Sequence, residues 1–465
     1  MWGLTVRVTP LAGTSDSGQS RRMPTAGPLP VSFEGDVLVP DSPAYDTARA
    51  VWNGAVDRRP KYVVRCAGTD DVRTAVRVAR ELGLPLGVRG GGHSAAGWAV
   101  PDGGLMIDLS RMREVVVDPR AKTAQVQGGA LLGSLDAATQ PFGLATTAGI
   151  VSHTGIGGLA LGGGVGWLGR QVGLTCDNAL GYEVVTADGE LVYASADENP
   201  DLFWGLRGGG GNFGVVTRFD LRLHDVGTQA LVAEVDLDPA RGLDALRTWL
   251  AASDDAPRRA TFIAEVRSGG PLTLGFVWVG PPEEAAPLIQ QLDGVGDVQQ
   301  RRVATISYLD LQQQSDVGAA YGYRRYAKSH YVQELPDAAL EAFLAHTDAD
   351  AGPYASLVAY GGAIAEVNPD ATAFVHRGTR FEYDVGAKWA DPNDDERLAT
   401  ACRRLAATIA PWSVGVYVNA LGVEGAAGVH RAYGDATYAR LQQLKATWDR
   451  ENTFRLNQNI PPAES

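Results

Sequence analysis

The residues best suited to chemistry lie among three glycine runs in the first half of the chain. The first run occupies residues 90–92 and leads into His93, the second spans 149–166, and the third spans 208–214. Glycine permits positive φ and leaves backbone N–H groups unobstructed. Three such runs therefore predict that the backbone repeatedly approaches a bulky, polar group.

One alternative comes from within the second run. Gly155, Gly157 and Ala160 fit the dinucleotide-binding pattern G-x-G-x-x-A, and Asp177 follows at about the required distance of 20 residues. This pattern predicts an NAD-dependent dehydrogenase. It requires a helix from the second glycine onward, and that helix would contain four more glycines, each costing about 1 kcal/mol relative to alanine. The cost favours loops over this alternative.

The elements that position these runs indicate an α+β fold. Strands are predicted at 62–66, 85–89, 107–109 and 123–127, with a helix after Thr69 and another over 131–140. The first glycine run thus follows a strand end. Beyond about residue 225 glycine becomes rarer, and alternating segments such as 272–279 and 357–367 predict a second domain. A last helix is predicted over 433–448.

Length and composition exclude several classes of protein. The chain has 465 residues, which suggests two or three domains, and a net charge of −13, which argues against a general nucleic-acid binder. Cys66, Cys176 and Cys402 lack metal-ligand spacing, so we expect buried free thiols and no metal site. No stretch predicts a membrane span. Residues 1–28 lack an apolar signal region, and we expect a disordered extension and a cytoplasmic location.

Several motifs together are highly specific. They are RGGGHS at 89–94, IDLS at 107–110, SHTG at 152–155, GGG at 162–164, DLFW at 201–204, RGGGGNFG at 207–214 and NQN at 457–459. In this order they resemble the berberine bridge enzyme-like family of FAD-linked oxidases, over residues 33–461. The resemblance implies a PCMH-type (vanillyl-alcohol-oxidase type) FAD-binding domain of two subdomains, plus an antiparallel-sheet substrate domain with helices. It places the FAD-binding domain at 29–225 and 420–465 and the substrate-binding domain at 226–419.

The resemblance also implies which residues hold FAD. His93 matches the histidine that is bonded covalently to the flavin in this family, whereas Val151 replaces the cysteine that forms a second link in many relatives. A singly linked flavin is therefore expected, and Cys176 fits no family position. The implied cofactor-binding residues are Arg89, Gly90, Gly91, Gly92, His93, Ser94, Gly128, Ser152, His153, Gly155, Gly158, Gly163, Gly210, Asn212, Val215, Asn457 and Asn459.

The resemblance also implies catalytic residues. Glu366 matches the family's catalytic glutamate, on a predicted substrate-domain strand, and Thr154 matches the residue that controls access of oxygen to the flavin. Ala420 replaces a tyrosine base used by many relatives, and Tyr417 is predicted to lie on the wrong strand face to substitute for it. An aromatic and basic group of residues is a further candidate for the substrate pocket: Tyr308, Gln312, Tyr321, Tyr323, Arg324, Tyr326 and Lys328.

The expected function is an FAD-dependent oxidase. Hydride from a small organic substrate, such as an alcohol, an amine or a secondary metabolite, passes to the flavin, and O₂ accepts the electrons to give H₂O₂. The alternatives are a flavin-binding protein without turnover and the NAD-dependent dehydrogenase described above. The substrate and the choice between monomer and homodimer stay open at this stage.

Overall fold

The first sheet carries the first glycine run. The computed structural model describes residues 27, 29–345 and 352–464, so the predicted extension 1–28 lies, apart from Gly27, outside the described residues. The elements are β1 (Asp36–Leu38), α1 (Tyr45–Arg49), β2 (Tyr62–Arg65), α2 (Thr69–Glu81), β3 (Leu86–Arg89) and β4 (Leu105–Asp108). The strand order is β1-β2-β4-β3, and β4 runs parallel to both β2 and β3.

Helix α2 makes the crossover between two parallel strands. Its buried face contains Val72, Ala75, Val76 and Ala79 at helical spacing, which packs it on the sheet. Parallel strands end at the same edge, so the chain after β3 emerges beside the end of β4. The first glycine run therefore begins at the carboxyl edge of this sheet, as the sequence predicts.

The second sheet carries the other two runs. Its strands are β5 (Val115–Asp118), β6 (Thr123–Gln127), β8 (Ala179–Val185), β9 (Leu191–Ser195) and β10 (Val215–Arg222), while β7 (Leu144–Ala145) pairs with β11 (His224–Asp225). The antiparallel order is β5-β6-β10-β8-β9. The helices are α3 (Leu132–Thr139), α4 (Ile156–Leu161), α5 (Gly169–Val172) and α6 (Pro200–Leu206). Helix α4 ends at Leu161 and is capped by Gly162, so the later glycines of the second run are not helical.

The third sheet is antiparallel and has eight strands. They are β12 (Gln229–Leu237), β13 (Ala260–Arg267), β14 (Leu272–Val279), β15 (Gln300–Ser307), β16 (Arg324–Val332), β17 (Tyr354–Ala359), β18 (Phe381–Trp389) and β19 (Ser413–Gly415), in the order β15-β12-β14-β13-β17-β18-β16-β19. The helices are α7 (Gly242–Asp254), α8 (Ala286–Asp293), α9 (Tyr308–Gln313), α10 (Asp337–Leu344), α11 (Ala363–Glu366), α12 (Asp395–Ile409) and α13 (Gly425–Trp448).

The two faces of this sheet bury different cores. One face packs with Trp249 of α7 and Cys402 of α12. On the other face, Tyr331 of β16 joins a core that also contains Leu161 and Phe213, from the second and third glycine runs. Alternate residues of a strand point to opposite faces, so the polar positions of β16 and β18 on this second face lie close to the glycine runs.

One predicted strand is wrong in part. The strand predicted over 357–367 ends at Ala359, because Gly361 and Gly362 adopt φ of +84° and +55°, and a short helix, α11, follows. A single turn of 3₁₀ helix at Pro369–Ala371 comes next, and a loop leads from it toward β18. The last helix, α13, begins earlier than predicted and is interrupted at Gly434, whose φ is +66°.

The described residues contain neither a membrane-spanning helix nor a metal-ligand cluster. Within the described ranges, the helices lack the combination of length and apolar composition that a bilayer span requires. In the same ranges, His, Cys, Asp and Glu side chains form no group of three or more that could hold a metal ion.

Candidate active site

The first two glycine runs pack backbone against backbone. A Cβ on Gly91 would lie 2.2 Å from the nitrogen of Gly155, and a Cβ on Gly155 would lie 2.1 Å from the nitrogen of Gly91. The carbonyl oxygen of Gly128 lies 3.1 Å from the Cβ position of Gly90. Only glycine allows this approach, so the glycines here bring His93 and the second run together.

The third run is closed by the C-terminal tail. The buried Asn212 amide donates to the carbonyl oxygen of Gln458 (3.2 Å), and its oxygen accepts from the N–H of Ile460 (3.0 Å). In return, the Asn457 amide donates to the carbonyl oxygen of Gly211 (3.0 Å). The tail therefore forms one wall of the site, although it is far from the other walls in sequence.

A buried lysine supports this wall. Lys445 of α13 is 0% exposed, and its Nζ donates to the carbonyl oxygens of Asn212 (2.7 Å) and Phe454 (2.9 Å) and to Oδ2 of Asp449 (2.6 Å). Burial lowers the pKa of Lys445, while Asp449 opposes this change. Sequence reasoning missed this residue, because a lysine in an amphipathic helix is usually exposed.

The second and third runs also meet. The N–H groups of Gly208 and Gly210 both donate to the carbonyl oxygen of Leu161, at 3.0 and 2.9 Å. Gly163 adopts φ of +123°, and a Cβ there would lie 2.9 Å from the ring of Phe374. Two further expected residues lie nearby: Val215 begins β10, and Gly158 of α4 is exposed.

These residues fit an FAD molecule. The glycine runs carry no side chains where they meet, so their backbone is open to close approach by a diphosphate or a flat ring. Asn457 Oδ1 and Asn459 Oδ1 are buried acceptors without a hydrogen-bond partner among the described residues. Such atoms cost about 1–3 kcal/mol when left unsatisfied, so they favour a bound group that carries hydroxyl or amide donors.

Aromatic side chains surround His93. Its Nε2 lies 2.8 Å from Nδ1 of His153, the ring of Trp52 stacks on it at 4.5 Å, and Tyr321 approaches edge-on at 5.8 Å. Burial, together with the nearby His153 and Arg325, lowers the pKa of His93 to about 3. His93 is therefore neutral near pH 7 and can act as a nucleophile.

Some residues that were expected to contact the cofactor bind other protein groups instead. The Arg89 guanidinium binds Asp108 through Nε (3.1 Å) and Nη2 (2.6 Å), and it donates to the carbonyl oxygen of Ala48 (2.6 Å). These bonds stabilise the end of β3 and leave the Arg89 side chain engaged with protein. Ser152 is held by Asp316, through its N–H (2.8 Å) and its hydroxyl (2.6 Å). Ser94 is half-buried directly after His93.

The cysteine position and the oxygen-gate position lie in the same turn. Val151 accepts a hydrogen bond at its carbonyl from the N–H of Thr154 (3.1 Å), and the carbonyl carbon of Thr154 lies 3.1 Å from the Cβ position of Gly91. Cys176 is close in space, since its N–H donates to Gly163 (2.9 Å), but its thiol is fully buried. Burial raises the pKa of that thiol, with Asp177 adding to the effect, so it is not reactive.

Glu366 is not where the sequence predicted. Because the chain turns at Gly361 and Gly362, Glu366 lies on the short helix α11 rather than on a strand facing the site. Its side chain is 59% exposed and pairs with Arg258, which is 51% exposed. This is a surface ion pair and gives Glu366 no access to the glycine runs.

Glu382 on β18 is a buried carboxylate on the substrate-domain side of the site. Its Oε2 accepts from the hydroxyl of Tyr360 (2.5 Å), and its Oε1 accepts from Ser329 (3.0 Å). Tyr331 contacts the ring of Tyr360 at 5.4 Å and that of Tyr417 at 6.4 Å. We call Glu382, Tyr360, Tyr331 and Tyr417 the Glu382 cluster. Sequence reasoning missed Glu382; the alternation of β18 was its only signal.

Tyr417 connects the Glu382 cluster to the second glycine run. Its hydroxyl accepts from the N–H of Gly164 (3.0 Å) and from the amide of Asn419 (2.9 Å). The prediction that Tyr417 faces away is wrong, because the chain does not continue as a strand: residues Val418–Ala420 form a 3₁₀ turn. Strand alternation therefore does not apply here.

The carboxyl and phenol groups of the cluster differ in their ability to accept a proton. Burial raises the pKa of Glu382, and hydrogen bonds from Tyr360 and Ser329 oppose this change. Burial and the charge of Glu382 raise the pKa of Tyr360 and of Tyr417. The two phenols are therefore neutral, and Glu382 is the group able to accept a proton.

The predicted aromatic and basic group is dispersed. Gln312 donates to buried Asp136 (3.2 Å), Lys328 pairs with Glu424 (2.9 Å), and Arg324 pairs with Asp395. Only Tyr321 of the group has a described ring contact with His93. Trp52, which stacks on His93, follows α1, and no sequence pattern predicted its place in the site.

Known proteins match this chain throughout. A sequence model of an FAD binding domain matches residues 60–195, and the model "Berberine and berberine like" matches residues 416–461. The first match includes Gly155, Gly157 and Ala160, so the NAD-dependent alternative is wrong. The chain is 32% identical over 459 residues to (R)-6-hydroxynicotine oxidase of Paenarthrobacter nicotinovorans, covering 94% of this chain and 98% of the relative.

Solved structures agree with the fold. The crystal structure of 6-hydroxy-D-nicotine oxidase from Arthrobacter nicotinovorans has a TM-score of 0.86 at 30% identity, covering 94% of this chain and 100% of that chain. Glucooligosaccharide oxidase from Acremonium strictum, described with a 6-S-cysteinyl, 8α-N1-histidyl FAD, has a TM-score of 0.83 at 24% identity, covering 93% and 98%, which shows the fold alone. By its near full-length relative and its two matched domains, the chain belongs to the berberine bridge enzyme-like family of FAD-linked oxidoreductases.

Proposed function

We propose that the protein is an FAD-dependent oxidase that holds its flavin by a single covalent bond to His93. The observation that carries this proposal is a neutral imidazole placed where the first two glycine runs pack together. We assign FAD binding to residues 29–225 and 420–465, and substrate binding to 226–419. When bound, FAD supplies the hydride acceptor.

A single bond follows from the residue types near the site. Val151 cannot form a thioether, and the only thiol near the second run, that of Cys176, is buried with a raised pKa. His93, which matches the family's linking histidine, is the nucleophile we assign there. The two-link flavin named for glucooligosaccharide oxidase is therefore not expected in this chain.

Glu382 replaces Glu366 as the proposed proton acceptor. The substrate releases a proton from its hydroxyl or amine when hydride leaves the neighbouring carbon. We propose that Tyr360 passes this proton across the 2.5 Å hydrogen bond to Oε2 of Glu382. The raised pKa of Glu382 brings it closer to neutral pH, which suits a general base.

The substrate is proposed to be a small polar alcohol or amine. Two buried polar atoms lack a hydrogen-bond partner among the described residues: Tyr331 Oη, within the Glu382 cluster, and Nε2 of His376, whose ring contacts Tyr331. A polar ligand would satisfy them. The names of the relatives, a hydroxynicotine oxidase and oligosaccharide oxidases, agree with substrates of this kind. Thr154 is proposed to leave room for O₂ at the flavin.

The covalent bond is tested by the mass of the denatured chain. Wild-type protein should show the mass of the polypeptide plus FAD, and His93→Ala should show the polypeptide alone while still binding dissociable flavin. His430→Ala, at a half-exposed histidine of α13, is the matched control and should keep the adduct. An unmodified wild-type mass after expression with ample riboflavin would refute the proposal.

The proton acceptor is tested by a pair of matched substitutions. Glu382→Gln should lower kcat/KM by about 10²–10⁴-fold, the usual contribution of a general base, whereas Glu366→Gln should leave it unchanged. The reverse order would refute the assignment.

Photoreduced flavin that stays reduced in air would instead favour the alternative, a flavin-binding protein without turnover.

A further inference from the structure

Two histidines from different glycine runs meet in this site. His93 Nε2 and His153 Nδ1 are 2.8 Å apart, although the residues are 60 positions apart in sequence. Their rings are tilted by 43°, with centroids 4.9 Å apart. The contact exists because Gly91 and Gly155 pack directly, which brings the residue after the first run beside the second run.

This contact is compatible with two tautomers of His93, and one of them activates it. In a hydrogen bond between two neutral imidazoles, one nitrogen donates and the other accepts. When Nε2–H of His93 donates to Nδ1 of His153, the lone pair of His93 lies on Nδ1. Among the described residues none is hydrogen-bonded to that Nδ1. The Trp52 ring stacked at 4.5 Å holds the imidazole plane, and in this tautomer Nδ1 is the nitrogen presented for reaction.

The surroundings make a proton acceptor necessary. A bond at Nδ1 would turn His93 into an imidazolium cation unless Nε2 loses its proton. Burial disfavours that cation most, and positive charge on His153 or on Arg325, which lies over Trp52 at 4.2 Å, disfavours it further. Tyr321, the remaining ring beside both histidines, carries a phenol whose pKa is raised by burial, so it is not an anion that could stabilise the cation.

We infer that His153 is a positioning residue for flavin attachment, which fixes the His93 tautomer and accepts the Nε2 proton as the covalent bond forms. The inference rests on the proposed function. In the step, a bond forms between His93 Nδ1 and the 8α carbon of FAD, and one C–H bond of the 8-methyl group and the Nε2–H bond break. The two electrons of the C–H bond remain on the flavin until O₂ takes them with both protons, giving H₂O₂. His153 is half-buried and can return its proton to water.

The test measures attachment rather than turnover. The full chain is produced under riboflavin limitation, FAD is added, and the mass of the denatured protein is followed with time. His153→Ala should attach FAD about 100-fold or more slowly than wild type, the usual loss on removing a proton acceptor. Absorbance after gel filtration should show that it still binds FAD. His430→Ala is the control and should attach FAD at the wild-type rate.

Two further measurements separate proton transfer from packing. His153→Asn keeps an oxygen acceptor near the Nδ1 position and should be faster than His153→Ala, but slower than wild type. Added imidazole should speed attachment in His153→Ala by at least about tenfold, because it can take the missing acceptor's place. Attachment in His153→Ala at the wild-type rate, or no response to imidazole, would overturn the inference. A wild-type chain that never attaches FAD would overturn the proposed function itself.

Discussion

Replacing Lys445 by methionine should destabilise the protein strongly. The side chain is 0% exposed and makes three hydrogen bonds, which join α13, the tail and the third glycine run. Methionine fills a similar volume but leaves the buried carboxylate of Asp449 without its cation. Breaking a buried ion pair at one partner typically costs about 3–5 kcal/mol. Two N–H groups still donate to Asp449, from Thr453 and Phe454, so we expect the lower part of this range.

The matched control is an exposed ion pair. Arg397, 54% exposed, pairs with Asp394 on the surface of α12, and Arg397→Met should change the free energy of unfolding by less than about 1 kcal/mol. Urea unfolding, followed by tryptophan fluorescence, measures both variants. Because Lys445 also binds the carbonyl oxygen of Asn212, Lys445→Met should weaken FAD binding in a titration of flavin-free protein. Equal shifts in the two variants would refute the reasoning.

Three other predictions concern the site. Gly91→Ala should abolish stable FAD binding, measured by flavin absorbance after gel filtration, because its Cβ would lie 2.2 Å from the nitrogen of Gly155; retention of stoichiometric flavin would contradict it. Glu366→Gln should change stability by less than about 1 kcal/mol, since its pair with Arg258 is exposed; thermal unfolding measures this. Because burial raises the pKa of Glu382, and the base acts as the carboxylate, kcat/KM should rise as the pH increases through that pKa. This acidic limb should be missing in the pH profile of Glu382→Gln, and its persistence would argue for another base.

The sequence predicted the parts of the site that depend on local pattern. Glycine runs and strand ends are local features, so the position of His93 after β3 could be read directly. Glu382 could not be identified, because its burial results from the pairing of β18 with strands distant in sequence. Glu366 was misplaced for a related reason: the positive φ values at Gly361 and Gly362 turned an apparently extended segment into a helix.

The sequence did not reveal the roles of Lys445 and Tyr417, for two different physical reasons. Lysine is normally solvated, and the three acceptors that make its burial acceptable come from segments that only the fold brings together. Tyr417 was judged by strand alternation, which stops at the 3₁₀ turn Val418–Ala420. In both cases the decisive contacts are long-range hydrogen bonds, which no local pattern records.

The closure of the third glycine run by the tail bears on how the protein is made. Asn212 of the third glycine run binds Gln458 of the tail, which is 246 positions later. The ribosome therefore synthesises the third run long before it synthesises the tail residues that close it. Closing a loop of that length costs entropy that grows only slowly with length, but it cannot happen until residue 458 has left the ribosome. A flavin that needs both walls would therefore be held only after the intervening eight-stranded sheet has emerged.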